Sequence, residues 1–439
     1  AQQIRFTANL GDRFHSRGRL ADTGDEFQLQ MLDLAFATDL LIEPQPGVHL
    51  HGYIDEVSAD EWIKVFGDQQ DKNPELLKSV RLQLGKLHAF DREIDNLQID
   101  LQQKAERFTG SLNSASVNGG FDIPLHPGSA HPAKIDLDYL RIDRPAEEDQ
   151  LGSLRPENLI DFRLTSKVFL FHDMLFQNLL VDARVNANRM YIDELKLARD
   201  KLKLIGRGQW DYDPASDTQV SSINVNIKGS GLGQAINGLG FGNTMRDGTL
   251  DFQGGFTWAG PITSVELERL AGDARMTIED GVLNNVEPGS GRYVGLLSLS
   301  ALPRRLSLDF SDMLIKGMEF SKITGTYRIE DGVLYTKNTR MDGPAAKIKI
   351  SGKTGIADRS YDQTIKVTPK IRETLPVIGA VSAGSTVGWG LLLLQNLFKK
   401  VIDDAVEVEY RVTGTWDDPK IELIKAVDEK QRELPTIDR

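Results

Sequence analysis

Apolar and polar residues alternate along most of this chain. Val48, Leu50, Gly52 and Ile54 interleave with His49, His51 and Tyr53. Leu97, Ile99 and Leu101 interleave with Gln98, Asp100 and Gln102, and Ile135, Leu137 and Tyr139 with Lys134, Asp136 and Asp138. A period of two sends successive side chains to opposite faces, so each run predicts a strand with one dry and one wet face. Such half-buried strands belong to antiparallel sheets, because strands of a parallel sheet read as unbroken apolar runs. Apolar runs in 5–14 and 27–41, the set Phe108, Gly110 and Leu112, and strands from Phe162 to Trp210 extend the pattern. Helical periodicity is scarce. The segment 59–67 (ADEWIKVFG) predicts a short amphipathic helix with Trp62, Ile63 and Phe66 on one side.

Turn chemistry punctuates the strands. The acidic stretch 143–156 (DRPAEEDQLGSLRP) carries two prolines and is expected as a boundary or lateral loop. A D-G-x-L unit recurs at Asp247, Asp280 and Asp331, and Asp-Gly supplies the positive φ of a tight hairpin. A second unit, glycine then tryptophan then a turn, recurs around Trp210, Trp258 and Trp416. The glycine-rich 229–242 reads as a short helix and turn. It lacks the G-x-G-x-x-G spacing and the βαβ context of a dinucleotide site. Together these predict a meandering antiparallel sheet.

One stretch breaks the alternation. Residues 374–398 (TLPVIGAVSAGSTVGWGLLLLQNLF) contain no charge, and as a helix 377–398 would rise about 33 Å, enough for a bilayer core of about 30 Å. Its glycines and its Ser, Thr, Gln and Asn residues suit a buried hairpin of two short helices equally well. Val377, Trp389, Leu391, Leu392, Leu393, Leu394 and Phe398, followed by Lys399 and Lys400, are the candidate membrane contacts. Tethered at both ends by strands, the segment is expected as a hairpin or re-entrant helix.

Composition narrows the classes. The 439 residues carry 64 carboxylates against 52 Lys and Arg, with no long basic run, which argues against a nucleic-acid partner. There is no cysteine, hence no disulfide, thiolate metal site or cysteine nucleophile. The chain opens at Ala1 without a leader, as expected of a processed protein or the downstream part of a longer one. His49 and His51 share a strand face but lack a third metal ligand and are expected as a solvated pair; His126 and His131 fall in a Pro-rich turn. Gly352-Lys353-Thr354 ends like a P-loop, yet Lys347 stands where the opening glycine belongs. No G-x-S-x-G elbow exists, and Asp403-Asp404 and Asp417-Asp418 are expected as solvated residues of turns or helix ends. No enzyme, cofactor or metal site is expected. A sheet with one apolar face must cover it, by a second sheet, by closing into a barrel, or by an apolar ligand on an open face.

The span from about 229 to 424 resembles the AsmA-like family of large Gram-negative envelope proteins. The segments that carry it are GLGQAINGLG (231–240), DGTLDFQGGFTWAGP (247–261), the long run from LERLAGDARMTIEDGVL at 267 to 334, DGPAAKIKISGKTGIADRSYD (342–362) and YRVTGTWDDPKIELI (410–424). One departure is Gly384-Ser385, where Gly-Pro is expected. The first 200 residues share only the strand pattern. The resemblance implies the bridge-like intermembrane lipid-transfer group, in which a long curled sheet forms an open apolar groove for phospholipid acyl chains. It further implies a periplasmic location, an inner-membrane anchor on an N-terminal helix absent from this chain, and a C-terminal end that faces the outer membrane.

The expected fold is therefore mainly β, an elongated curled antiparallel sheet with few short helices and an apolar helical segment near the C-terminus. Groove segments are expected at 1–150, 151–228 and 229–370, a membrane-contact segment at 371–405, and closing strands with a polar tail at 406–439. The apolar phase supplies the candidate groove residues Leu97, Ile99, Leu101, Ile135, Leu137, Leu250, Phe252, Phe256, Leu308, Phe310, Ile323, Tyr327, Ile348 and Ile350. Arg292, Arg304 and Arg305 flank the apolar run YVGLLSLSAL and are candidates for phosphate headgroups at the rim. The expected function is non-enzymatic phospholipid transport between inner and outer membranes. The rival is a periplasmic scaffold or assembly factor for outer-membrane proteins, working through sheet edges.

Overall fold

The computed structural model of the chain describes residues 3–22, 24, 27–59, 74–89, 92–126, 131–143, 155–171, 174–237, 245–265, 267–284, 318–344, 346–356, 358–370, 405–416 and 418–428. Among them are 22 strands and almost no helix, as the alternation predicts. The segments 60–67, 374–398 and most of 143–156 lie outside the described residues, and with them the predicted amphipathic and apolar helices.

Contacts divide the chain into two units. The first comprises Ala1–Ala198, Arg207–Ser221 and Gly260–Thr263. It holds β1 (Gln3–Leu10), β2 (Phe14–Asp22), β3 (Phe27–Phe36), β4 (Gly47–Ser58), β5 (Leu77–Ala89) and β6 (Arg92–Lys104). There follow β7 (Arg107–Asn113), β8 (Val117–Pro124), β9 (Ala133–Ile142), β10 (Phe162–Phe171), β11 (Met174–Asn186) and β12 (Arg189–Arg199). Residues of β13 (Leu202–Asp213) and β14 (Thr218–Ser230) fall in both units. The second unit adds α1 (Leu232–Ile236), β15 (Met245–Ala259), β16 (Ala271–Leu283), β17 (Met318–Glu330) and β18 (Val333–Asp342). It ends with β19 (Ala346–Gly355), β20 (Ser360–Pro369), β21 (Ala405–Thr415) and β22 (Pro419–Asp428).

In the first unit β1 to β12 pair in chain order, but not as a pure meander. β3 with β4, β4 with β5, and β9 with β10 are parallel. A parallel neighbour cannot be reached by a tight hairpin and needs a longer crossover. The connections 37–46, 59–76 and 143–161 are the crossovers, so the Pro-rich acidic stretch lies between two strands that pair. The first crossover also overturns the expectation of a solvated histidine pair. It passes over the polar phase of β2 to β4, where Asp33 is 1% exposed and accepts bonds from Arg17 (3.3 Å), His51 (2.9 Å) and the Leu41 amide (2.9 Å). His49 is buried there between Ser79 Oγ (2.7 Å) and the Pro46 carbonyl (3.1 Å). A buried carboxylate requires such partners.

In the second unit β15 to β22 pair antiparallel in chain order. Of the three D-G-x-L units only Asp331-Gly332 turns a hairpin, with both φ angles positive (47° and 69°) between β17 and β18. The other two lie inside β15 and β16. Asp247 (φ 58°) stands opposite Gly281, and pairing resumes at Thr249 opposite Glu279, leaving an interrupted rung at Gly248 and Asp280 (φ 55°). A left-handed residue inside a strand turns the peptide planes away from the ladder. The tryptophans of the second repeat, Trp210, Trp258 and Trp416, are all buried near strand ends.

Candidate functional site

Register determines which side chains stand abreast. In the first unit Val80 lies opposite Leu101, Leu101 opposite Gly110, and Gly110 opposite Phe121. The row continues through Ile135, Leu164, Val181 and Leu195. Eight strands thus present eight apolar or glycine positions in one line, which at the usual strand spacing of about 4.8 Å runs for about 34 Å. All eight are half-buried. The adjacent row is Leu82, Ile99, Leu112, Gly119, Leu137, Ser166 and Leu179. Its leucines at 82, 137 and 179 are buried, and Ile99 and Leu112 are half-buried. The first unit therefore carries a continuous apolar face that is partly open to solvent.

The second unit carries an equivalent row that is closed. Leu250, Ile278, Ile323, Met341, Ile348, Val367 and Val408 stand abreast across β15 to β21. Exposure along it is 8%, 1%, 1%, 2% and 3% for the first five, so this line is core. Beside it Phe252 and Phe256 stack (centroids 6.4 Å apart, planes at 12°) over Gly254, where a Cβ would come within 2.6 Å of the Phe256 ring. Glycine beneath aromatic rings lets the rings lie flat on the sheet. Further along the same face Thr336 donates to the Thr326 carbonyl (3.0 Å) and lies 2.8 Å from Thr339, itself 3.2 Å from the Tyr327 hydroxyl. Gln363 donates to Thr354 (2.6 Å). These buried polar groups satisfy one another, and burial pushes the Tyr327 hydroxyl pKa up.

The opposite faces are charged. Lys86–Glu93 and Lys167–Asp138 (2.6 Å each), Lys322–Glu279 (2.8 Å) and Arg411–Asp362 (3.1 Å) bridge exposed positions. The hydrogen bonds raise the pKa of each of these three lysines above its ordinary value. Exposed pairs contribute little stability, but they mark this side as the wet one.

Of the predicted groove residues, Leu97, Ile99, Leu101, Ile135 and Leu137 share the apolar face of the first unit. Leu250, Phe252, Phe256, Ile323, Tyr327, Ile348 and Ile350 share that of the second. Leu308, Phe310, the rim arginines 292, 304 and 305, and every predicted membrane contact lie outside the described residues. Missing from the prediction were Val80, Phe121, Leu164, Val181 and Leu195, each in an alternating run; only the register reveals that they line up. Among the described residues no group of three or more His, Cys, Asp or Glu is placed to hold a metal ion, and no helix is long and apolar enough to cross a membrane.

The family described as YhdP protein matches residues 1–421. A relative from Escherichia coli (strain K12), named intermembrane phospholipid transporter YhdP, is 24% identical over 231 residues. The alignment covers 52% of this chain and 18% of that protein, so the chain spans under a fifth of the relative it matches. No solved structure matches.

Proposed function

The chain belongs to the YhdP protein family, and from that premise we propose that it is a section of a conduit for phospholipids between the inner and outer membranes. Acyl chains lie along the apolar face and headgroups ride at its edge in water. Movement is by partition, without covalent chemistry. Each CH₂ kept out of water contributes about 0.8 kcal/mol, so a gap in the lining would be a barrier. The observation that carries the proposal is the half-buried row from Val80 to Leu195, apolar or glycine at every strand it crosses. In this reading Leu308 and Phe310 extend the lining and Arg292, Arg304 and Arg305 meet phosphates. The stretch 371–405 meets the outer membrane through Trp389 and residues 391–394.

The test is site-specific photo-crosslinking in cells. A crosslinking residue at Ile135 or Leu164 should capture phospholipid, and one at Asp136 or Arg163, one position along on the wet face, should not. Capture of protein rather than lipid at the apolar positions would favour the scaffold reading and overturn the conduit.

A further inference from the structure

One row on the wet side of the second unit carries a single sign of charge. Arg340 on β18 stands directly opposite Lys349 on β19, and Lys349 directly opposite Lys366 on β20. The pleat fixes them there. Their chain neighbours Met341, Ile348, Ile350 and Ile365 are all buried in the core of this unit, which sends the three cations to the other face. At the usual strand spacing the row spans about 10 Å.

Like charges directly opposite each other destabilise a sheet. Elsewhere on the wet faces a cation meets a carboxylate across the rung, as Lys322 meets Glu279 and Arg163 meets Asp182. In this row Lys366 has Glu409 (3.2 Å), but Arg340 and Lys349, both exposed, make no ion pair or side-chain hydrogen bond among the described residues. Exposed Lys337, on β18, makes none either. The flanking pairs are loose: Lys347–Asp342 and Lys353–Asp362 are each 4.0 Å apart, and Asp362 also serves Arg411 (3.1 Å). The three strands together hold six Lys or Arg against two carboxylates, a net charge of +4 in a chain whose net charge is −12.

These groups lie in water, so the row is not a pocket for one ion. Its field reaches about 8–10 Å at ordinary salt and suits an extended anionic surface. The connection from β20 to β21 indicates which surface. Within it, residues 374–398 carry no charge, and it leaves from the strand that bears Lys366. A bilayer offers hydrocarbon to the uncharged connection and phosphate to the row. An acidic protein or a nucleic acid would satisfy the row alone.

We propose that the wet face of β18, β19 and β20 docks on the headgroups of a bilayer containing anionic phospholipid, with Arg340 and Lys349 in contact and Lys337 and Lys366 beside them. This goes beyond the conduit reading. The row lies on the face away from the apolar side chains, and it would hold the chain at a membrane whether or not lipid moves along the lining.

The test is co-sedimentation of the whole chain with vesicles of phosphatidylcholine alone, or of phosphatidylcholine and phosphatidylglycerol in equal parts. The anionic vesicles should bind about tenfold more tightly at low salt. Salt at about 1 M, where the screening length falls to about 3 Å, should remove that preference. Arg340→Gln combined with Lys349→Gln should abolish it. Lys228→Gln combined with Lys322→Gln, the same change of charge at matched cations of this unit, should preserve it. Lys349→Glu places a carboxylate opposite both Arg340 and Lys366, so it should raise the unfolding midpoint in urea while abolishing the preference. Equal binding to both vesicles, a preference that survives Lys349→Glu, or an equal loss in the Lys228 and Lys322 variant would overturn the docking row. Lipid capture at Ile135 tests the conduit separately.

Discussion

Ile99 and Ile323 are the same residue on the apolar faces of the two units, and truncating each to alanine separates a groove from a core. Ile323 is 1% exposed and stands between Ile278 and Met341. Removing three buried carbons there loses their transfer free energy and leaves a cavity, about 2–5 kcal/mol for Ile→Ala at a closed site. Ile99, between Leu82 and Leu112, is only half-buried, so part of its side chain already meets water. At about 25 cal/mol per Å² the same truncation should cost about 1–2 kcal/mol, with no sealed cavity to add to it. Hydrogen exchange in a urea series, read separately on peptides from β6 and β17, measures each effect within its own unit. With a slope of about 2–3 kcal/mol per molar urea, Ile323→Ala should lower the β17 midpoint by about 1 M or more, and Ile99→Ala should lower that of β6 by roughly half as much. Ile99→Ala should also reduce lipid capture from Ile135. An Ile99 cost equal to that of Ile323 would mean that the first unit's face is sealed, leaving an acyl chain no place to lie, and would refute the reasoning.

Gly254→Val should displace the stacked Phe252 and Phe256 rings and destabilise the second unit by about 1–3 kcal/mol, visible as a change in near-ultraviolet circular dichroism. Trp210→Phe removes the 2.8 Å bond from the fully buried indole Nε1 to Gln219 Oε1, and chemical denaturation should register a loss of about 1–3 kcal/mol. Burial pushes the Tyr410 hydroxyl from 10.0 up to about 12. The unfolded chain therefore loses that proton first, so its contribution to stability is intact below pH 10 and is lost as pH rises toward 12. A melting series over this range should fall less steeply for Tyr410→Phe than for the unmodified chain.

The strand content, the presence of an apolar face on most strands and the absence of a recognisable catalytic motif were all legible in the sequence. A period of two is a local property, and Ile99 and Gln98 declare their faces without reference to any neighbour. The resemblance over 229–424 rested on ordered segments and is matched by a family assignment over nearly the whole chain. Pairing was not legible. Nothing local tells Leu164 that its neighbours are Ile135 and Val181, or that β9 and β10 run parallel across an acidic, proline-bearing connection. Nor does D-G-x-L disclose its use: Asp331-Gly332 turns a hairpin because the chain reverses there, and Asp247 and Asp280 interrupt a rung because their strands continue past them. The same limit applies to burial. His49 and His51 read as solvated until a crossover covers them, and Ile99 and Ile323 read alike until one proves half-open and the other dry. Alternation specifies which way a side chain points; what it meets there depends on partners distant in sequence, and only the tertiary fold brings those together.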